Sequence, residues 1–396
     1  MSALRALILK SNDYPVAGAV RLVEMYVAHL DRARVEPVLC HIVSPDREPT
    51  LTQVSPRMEG IENHEIVWKG LRQARATGAE LRQIIQKAGI DVVTSNDMRT
   101  DLTARLAGGS KGMGVPWTAF VHGWIGFKRT MADMRYGFYE LANRWAVRAA
   151  DEIWTGSHAC GRDARKMLPK KMPLRICMNA VEPYYLQTQP GEAQALRQSL
   201  GLPDDALLTG TLGRMAWAKG HHLLAQAVIE SGCDNLYGVL LGYGEEEEKL
   251  RDMISKPPFK GRIFMPGKKA SIDQMPAYLE AFDFFCFSSI QESLPVSVLE
   301  AMYQDNAVIC PKTGDLPLVL EDGKHGLLYP PGDVPAMAAC LRRYVEDVEL
   351  RETMRKAAKD RVLAQFCAPR YSKDCENGWV DIVERMSGTR AALRTA

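Results

Sequence analysis

The chain has 396 residues, of which 46% are hydrophobic and 25% charged, a composition that excludes disordered and fibrous classes. A formal net charge of +2 excludes a dedicated nucleic-acid binder. The length exceeds what one hydrophobic core serves, so two domains are expected.

The N-terminal stretch Met1 to Lys10 has an apolar run too short for a signal peptide or a membrane span, and it reads as a buried first strand. Short apolar runs then alternate with longer amphipathic ones, the pattern of a parallel α/β sheet. Strands are expected at 6–9, 35–42, 66–67, 92–94, 117–121 and 153–155, and helices at 18–30, 70–87, 101–106 and 131–149. A polar stretch after Val181, then a helix at 191–200, reads as a connection between domains. A second αβ series follows. Its strands are expected at 207–211, 237–241, 263–265, 284–287 and 307–310, and its helices at 221–230, 245–254, 275–281, 296–303 and 334–345. The boundaries are therefore 1–185 for a first Rossmann-like domain and 190–369 for a second, with residues 370–388, which carry Trp379, packing back on the first. In such sheets ligands bind beyond the C-terminal ends of the strands, so a cleft between the two domains is the expected site.

Nine cysteines lie scattered with no CxxC pair, which points to neither a zinc site nor a disulfide framework. Reduced thiols fit a cytoplasmic location. His158, His221 and His222 have no ligand-like company, so no metal is assigned to them.

Several loops at strand ends could carry chemistry. Gly213-Arg214 and Lys219-Gly220 follow a strand and precede a helix; two cations beside a helix N-terminus suit a diphosphate, or they are solvated loop charges. Gly242-Tyr243-Gly244 allows close backbone approach, and the four glutamates behind it suit the first turn of a helix. His122 ends a first-domain strand and either meets substrate or is a satisfied structural histidine. Glu292 and Glu300 stand eight positions apart around an apolar segment, Ser293 to Leu299. With the helix starting near Val296, Glu292 lies in the loop and Glu300 about one turn inside. The amides between them form an anion-binding turn. The plain alternative is one surface acid and one helix ion pair. Lys128, Arg129 and Arg135, interleaved with aromatic and methionine residues, make a basic amphipathic stretch that suits a membrane surface or an ordinary packing face. No GxGxxG fingerprint follows the first strand, which disfavours a nicotinamide enzyme.

Taken in order, Gly213-Arg214, Lys219-Gly220, Gly242-Tyr-Gly244, Gly267, Ser288-Ser289, Glu292, Glu300-Ala-Met302, Gly314, Pro317 and Gly326 to Asp333 resemble glycosyltransferase family four, retaining enzymes of the GT-B fold. The resemblance is close over 205–370 and looser before it. It implies an α/β protein of two Rossmann-like domains facing across a central cleft. The implied activity is sugar transfer, of the hexosyltransferase type, from a UDP- or GDP-sugar to a glycan or lipid-linked acceptor in cell-surface polysaccharide or lipopolysaccharide assembly. It implies that Arg214 and Lys219 bind the diphosphate and balance leaving-group charge, that Glu292 holds the donor sugar and Glu300 the ribose. Leu294, Pro295, Val296 and Ser297 would line the phosphates, Gly242, Gly267 and Gly18 would lie against the donor, and His122 would approach the sugar. No cofactor or metal is implied, and no nucleic acid. Peripheral contact with the inner membrane face is the second option for location. Departures from the family pattern, Val16-Ala-Gly-Ala-Val-Arg21 and Thr313-Gly314-Asp315, leave the acceptor open. A catalytically silent or epimerase-type nucleotide-sugar binder of the same fold is the competing reading.

Overall fold

The computed structural model describes residues 3–11, 18–44, 56–68, 70, 73–123, 141–268 and 274–395. The chain divides into two compact units, Met1–Asn179 with Ala368–Ala396, and Ala180–Cys367.

The first unit holds a seven-stranded sheet in the order β3-β2-β1-β4-β5-β6-β7. These strands are β1 (Leu4–Ser11), β2 (Val35–Val43), β3 (Asn63–Val67), β4 (Val92–Ser95), β5 (Trp117–Val121), β6 (Glu152–Thr155) and β7 (Leu174–Ile176). All neighbours pair in parallel. β4, β5 and β6 are buried along their whole length, as expected of strands covered on both faces. The core runs through Leu7, Leu9, Val38, Ile42, Val93, Trp117, Ala119 and Ile153. The helix expected at 101–106 begins at Met98, because Asp97 and Thr100 form a reciprocal capping box ahead of it. Helix His158–Met167, which hydrophobic periodicity does not announce, is started by Ser157 accepting from the Cys160 amide. The helix expected at 70–87 begins at Ala74. Residues 141–147 are helical. Lys128, Arg129 and Arg135, with the proposed membrane stretch, lie outside the described residues, as does the loop 12–17.

The C-terminal helix Ala368–Thr395 belongs to this unit. Trp379 is fully buried and donates from Nε1 to Thr94 Oγ1 at 2.6 Å. Tyr26 lies edge-on to both Tyr371 and Trp379, with ring centroids 5.7 Å apart in each pair. Arg385 pairs with Glu152 at 2.6 Å, and Arg34 with Glu376.

The second unit repeats the plan with six parallel strands in the order β10-β9-β8-β11-β12-β13. They are β8 (Leu207–Leu212), β9 (Leu236–Leu241), β10 (Ile263–Phe264), β11 (Phe284–Cys286), β12 (Ala307–Pro311) and β13 (Leu327–Tyr329). Helices His221–Glu230, Met275–Ala281 and Val296–Tyr303 fall on the expected segments. Helix Glu247–Ile254 starts two residues later than expected. Leu224, Val228, Leu240, Phe284, Ile309, Met337 and Tyr344 fill the core. In each sheet the chain winds outward on one side of its first strand, then returns to wind outward on the other. In the second unit this reversal lies between β8 and β11, the position at which ligands bind in sheets of this kind.

Replacing Trp379 by Ala removes a buried indole and its hydrogen bond. Chemical denaturation should show a loss of about 3–5 kcal/mol. A loss under about 1 kcal/mol would mean that the helix contributes little to the first unit.

Candidate functional site

Every loop singled out in the second unit lies at the C-terminal edge of its sheet. The loop after β8 carries Arg214 and ends in the short turn Trp217–Lys219. The loop after β11 carries Ser288 to Pro295 and runs into helix Val296–Tyr303, whose N-cap Pro295 leaves the first turn without a side-chain cap. That turn contains no acidic side chain either. Its amides are therefore free of a local carboxylate and favour an external anion.

Backbone and hydroxyl bonds lock these two loops together. Ser288 Oγ donates to the Lys219 carbonyl at 3.0 Å, Ser289 Oγ to that of Ala218 at 3.1 Å, and the Ile290 amide to Ala218 at 2.8 Å. Tyr329 Oη donates to the Phe287 carbonyl at 2.7 Å and braces the start of the loop from β13. On the other side, the Asp315 amide donates to Ser293 at 2.7 Å. Gly314, at φ +59°, presses so closely there that a Cβ would lie 2.1 Å from the Ser293 carbonyl oxygen and 2.6 Å from that of Glu292. Only glycine fits.

The result is a contact between two of the expected residues. Lys219 Nζ meets Glu292 Oε1. The glutamate side chain is 12% exposed and the lysine 34%, so the pair is shielded but still open to solvent from one side. Glu300 is buried on helix Val296–Tyr303, with Ser297 and the chain from Leu294 between it and Glu292. Gly242, at φ +140°, abuts the loop after β8, with a Cβ position 1.8 Å from the Gly213 carbonyl oxygen. Gly267 follows β10 and lies against the Arg251 guanidinium. Arg214 does not join Lys219 and Glu292. Its guanidinium pairs with Glu245 at 2.9 Å, and the two side chains are 58% and 53% exposed. Glu245, expected within the helix, stands ahead of it. In the sequence it reads only as an acid suited to a helix dipole, and nothing in its local sequence signals the pairing.

Two expected residues belong to the first unit. Gly18 opens helix Gly18–Ala28. His122 follows β5 with its ring stacked on Phe120, centroids 4.5 Å apart at 15°. Both its ring nitrogens are buried and without a hydrogen-bond partner among the described residues. Burial holds its pKa down at about 4, so it is neutral at physiological pH. His41 and His221 are also held at about 4, chiefly by burial. The Lys10 charge adds to the effect on His41. The Leu241 carbonyl, 3.2 Å from His221 Nε2, works against it for His221 and fixes that nitrogen as a donor. Among the described residues, no group of three or more His, Cys, Asp or Glu side chains is placed to hold a metal ion. No described helix is long and apolar enough to cross a membrane.

Comparison with known proteins follows the same division. Residues 192–361 match the family model of glycosyl transferases group 1, and residues 17–179 match the glycosyl transferase 4-like domain. Among curated relatives, the lipopolysaccharide core biosynthesis glycosyltransferase LpsE of Rhizobium meliloti is 29% identical over 170 residues, 43% of this chain and 48% of that protein. The 2-deoxystreptamine glucosyltransferase of Streptomyces kanamyceticus is 26% identical over 257 residues, 62% and 66% of the two chains. The chain thus spans from 48% to 66% of the length of these two relatives. Among solved structures, Anabaena Alr3699/HepE in complex with UDP-glucose has a TM-score of 0.77 at 19% identity, covering 97% of this chain and 100% of that one. A glycosyltransferase from Rickettsia africae has a TM-score of 0.78 at 14% identity, covering 97% and 99%. At such identities the likeness speaks for the fold, which is GT-B.

His41, His122 and His221, each with a pKa held at about 4, contribute to the pH dependence of stability. Each binds a proton near pH 6.5 when unfolded but only near pH 4 when folded. At these three sites the unfolded chain therefore takes up more protons between these values, a contribution that raises stability with pH across that window and levels off above it, while buried Asp101, whose pKa burial raises, works in the opposite direction. Across denaturation series at pH 4.5, 5.5 and 7, His221→Gln should lower the slope by the share of one histidine. An unchanged slope in that variant would mean that His221 does not stay neutral on folding.

Proposed function

We propose that this chain, which belongs to the family-four (group 1) glycosyltransferases, transfers a sugar from a UDP- or GDP-sugar to a glycan or lipid-linked acceptor with retention of anomeric configuration. The observation that carries the reading is the Lys219–Glu292 contact at the strand-order reversal, beside the uncapped start of helix Val296–Tyr303. A cation, an anion-binding turn and two carboxylates in sequence suit a molecule with a diphosphate between hydroxyl-bearing ends. What is known of the similar proteins points in the same direction. HepE is described with UDP-glucose, LpsE with lipopolysaccharide core biosynthesis, and TuaC of Bacillus subtilis with teichuronic acid.

In this reading the diphosphate lies against Lys219 and the backbone from Leu294 to Ser297, where Pro295 has no N–H to donate, with Arg214 at its outer side. Glu292 accepts from hydroxyls of the donor sugar, and Glu300 from those of the ribose. As the bond from the anomeric carbon to the diphosphate oxygen breaks, negative charge grows on the leaving group. Lys219 and the helix amides are already oriented toward it and stabilise it without reorganisation. The acceptor hydroxyl oxygen bonds to the anomeric carbon on the face the diphosphate leaves, and its proton passes to a departing phosphate oxygen. Glu292 is then a positioning group more than a base, because Lys219 holds its carboxylate. His122, neutral above pH 4 by its burial, is not suited to delivering a proton at neutral pH. The acceptor is a cell-surface glycan or its lipid-linked precursor.

A panel of nucleotide sugars and nucleoside diphosphates, read first by thermal stabilisation and then by transfer, tests the reading. At least one UDP or GDP compound should raise the melting temperature and support transfer. Lys219→Ala and Glu292→Ala should each lower kcat by about 10²- to 10³-fold with the fold intact by circular dichroism. Near-normal rates in both variants would overturn the assignment of roles.

A further inference from the structure

Four glutamates, Glu245 to Glu248, follow Gly244. Glu247 and Glu248 occupy the first turn of helix Glu247–Ile254, where the dipole favours them. Glu246 pairs with Lys249 at 2.8 Å and Glu247 with Arg251 at 2.9 Å, both along the helix. Glu245 does something different. It stands outside the helix and accepts from Arg214 Nη2 at 2.9 Å, 31 residues back in the chain.

This pairing is built into the backbone. The two residues sit on the loops after β8 and β9, which are neighbouring strands. The Met215 amide donates to the Tyr243 carbonyl at 2.9 Å, and the Glu246 amide donates to the Met215 carbonyl at 2.9 Å. The residue next to Arg214 is thus tied to both sides of Glu245, so the carboxylate is held within reach of the guanidinium. With the side chains more than half exposed, solvent screens the pair and keeps it weak. It directs the guanidinium yet yields to a stronger anion. A diphosphate is such an anion, with more charge and oxygens that accept from two guanidinium N–H groups at once.

We propose that Glu245 is the competing counter-ion of Arg214. It holds the guanidinium at the rim of the donor site, gives it up to the donor diphosphate, and takes it back when the nucleoside diphosphate leaves. Glu245 is a positioning residue that sets donor and product affinity through Arg214, and this rests on the donor reading above.

Calorimetric titration with UDP and with GDP tests it in a double-mutant cycle. For the nucleotide that binds, Glu245→Gln should tighten binding about two- to fivefold, the range expected for freeing one screened ion pair. Arg214→Ala should weaken binding, and adding Glu245→Gln to it should change nothing further. Glu246→Gln removes the same charge one residue along and should leave affinity near that of the unaltered protein. Unchanged or weaker binding by Glu245→Gln overturns the inference. So does equal tightening by Glu246→Gln, a gain that persists without Arg214, or an Arg214→Ala variant that binds normally. If the unaltered protein binds neither nucleotide, the donor reading itself falls and takes this inference with it.

Discussion

The bonds from Ser288, Ser289 and Ile290 to the carbonyls of Ala218 and Lys219 join the loop after β8 to the loop after β11. The rest of the site depends on this join. β8 and β11 are neighbours only because the chain winds outward from β8 to β10 and then returns. Without the serine bonds the two loops would diverge, as loops at such a reversal do. With them, Lys219 reaches Glu292, and the chain enters helix Val296–Tyr303 at a fixed angle. Gly314 closes the other side by lying against the carbonyls of Glu292 and Ser293. The acid is therefore held by backbone on both flanks, and its carboxylate by a cation.

The two cations of the site differ in shielding, and that difference divides their work. Lys219 is two-thirds covered beside a nearly buried carboxylate, whereas Arg214 is more than half exposed beside an exposed one. Charge interactions strengthen as water is excluded. In the proposed donor reading, Lys219 is therefore the residue whose charge a departing diphosphate would feel most, and Arg214 the one that would be exchanged most easily. In the first unit the logic is the reverse. His41 and His122 are buried and kept neutral, and with no charge to neutralise they need no ion-pair partner.

Much of the fold is legible in the sequence, for reasons visible in particular elements. β5, Trp117–Val121, is a continuous apolar run covered on both faces, and helix Met275–Ala281 buries Met275, Ala277, Tyr278, Leu279 and Ala281. β7 and β13 are three residues each, too short to carry a period. Helix His158–Met167 hides because its buried face is Ala159, Cys160, Gly161 and Ala164, small residues among charges. In the site, Glu292 in the loop and Glu300 inside the helix follow from spacing and the start at Val296. The Lys219–Glu292 contact needs the adjacency of β8 and β11, which no local pattern encodes. The Arg214–Glu245 pair is less legible still, because two exposed charges on loops carry no hydrophobic signal.

In the proposed reading a nucleoside diphosphate is held between Lys219 and the start of helix Val296–Tyr303. A crystal structure of the protein with the nucleoside diphosphate that binds it tests this most directly. Phosphate oxygens are expected within hydrogen-bond distance of Lys219 Nζ and of amides between Leu294 and Ser297, with ribose hydroxyls on Glu300. A nucleotide bound elsewhere, with Lys219 and Glu292 still paired and untouched, would contradict it.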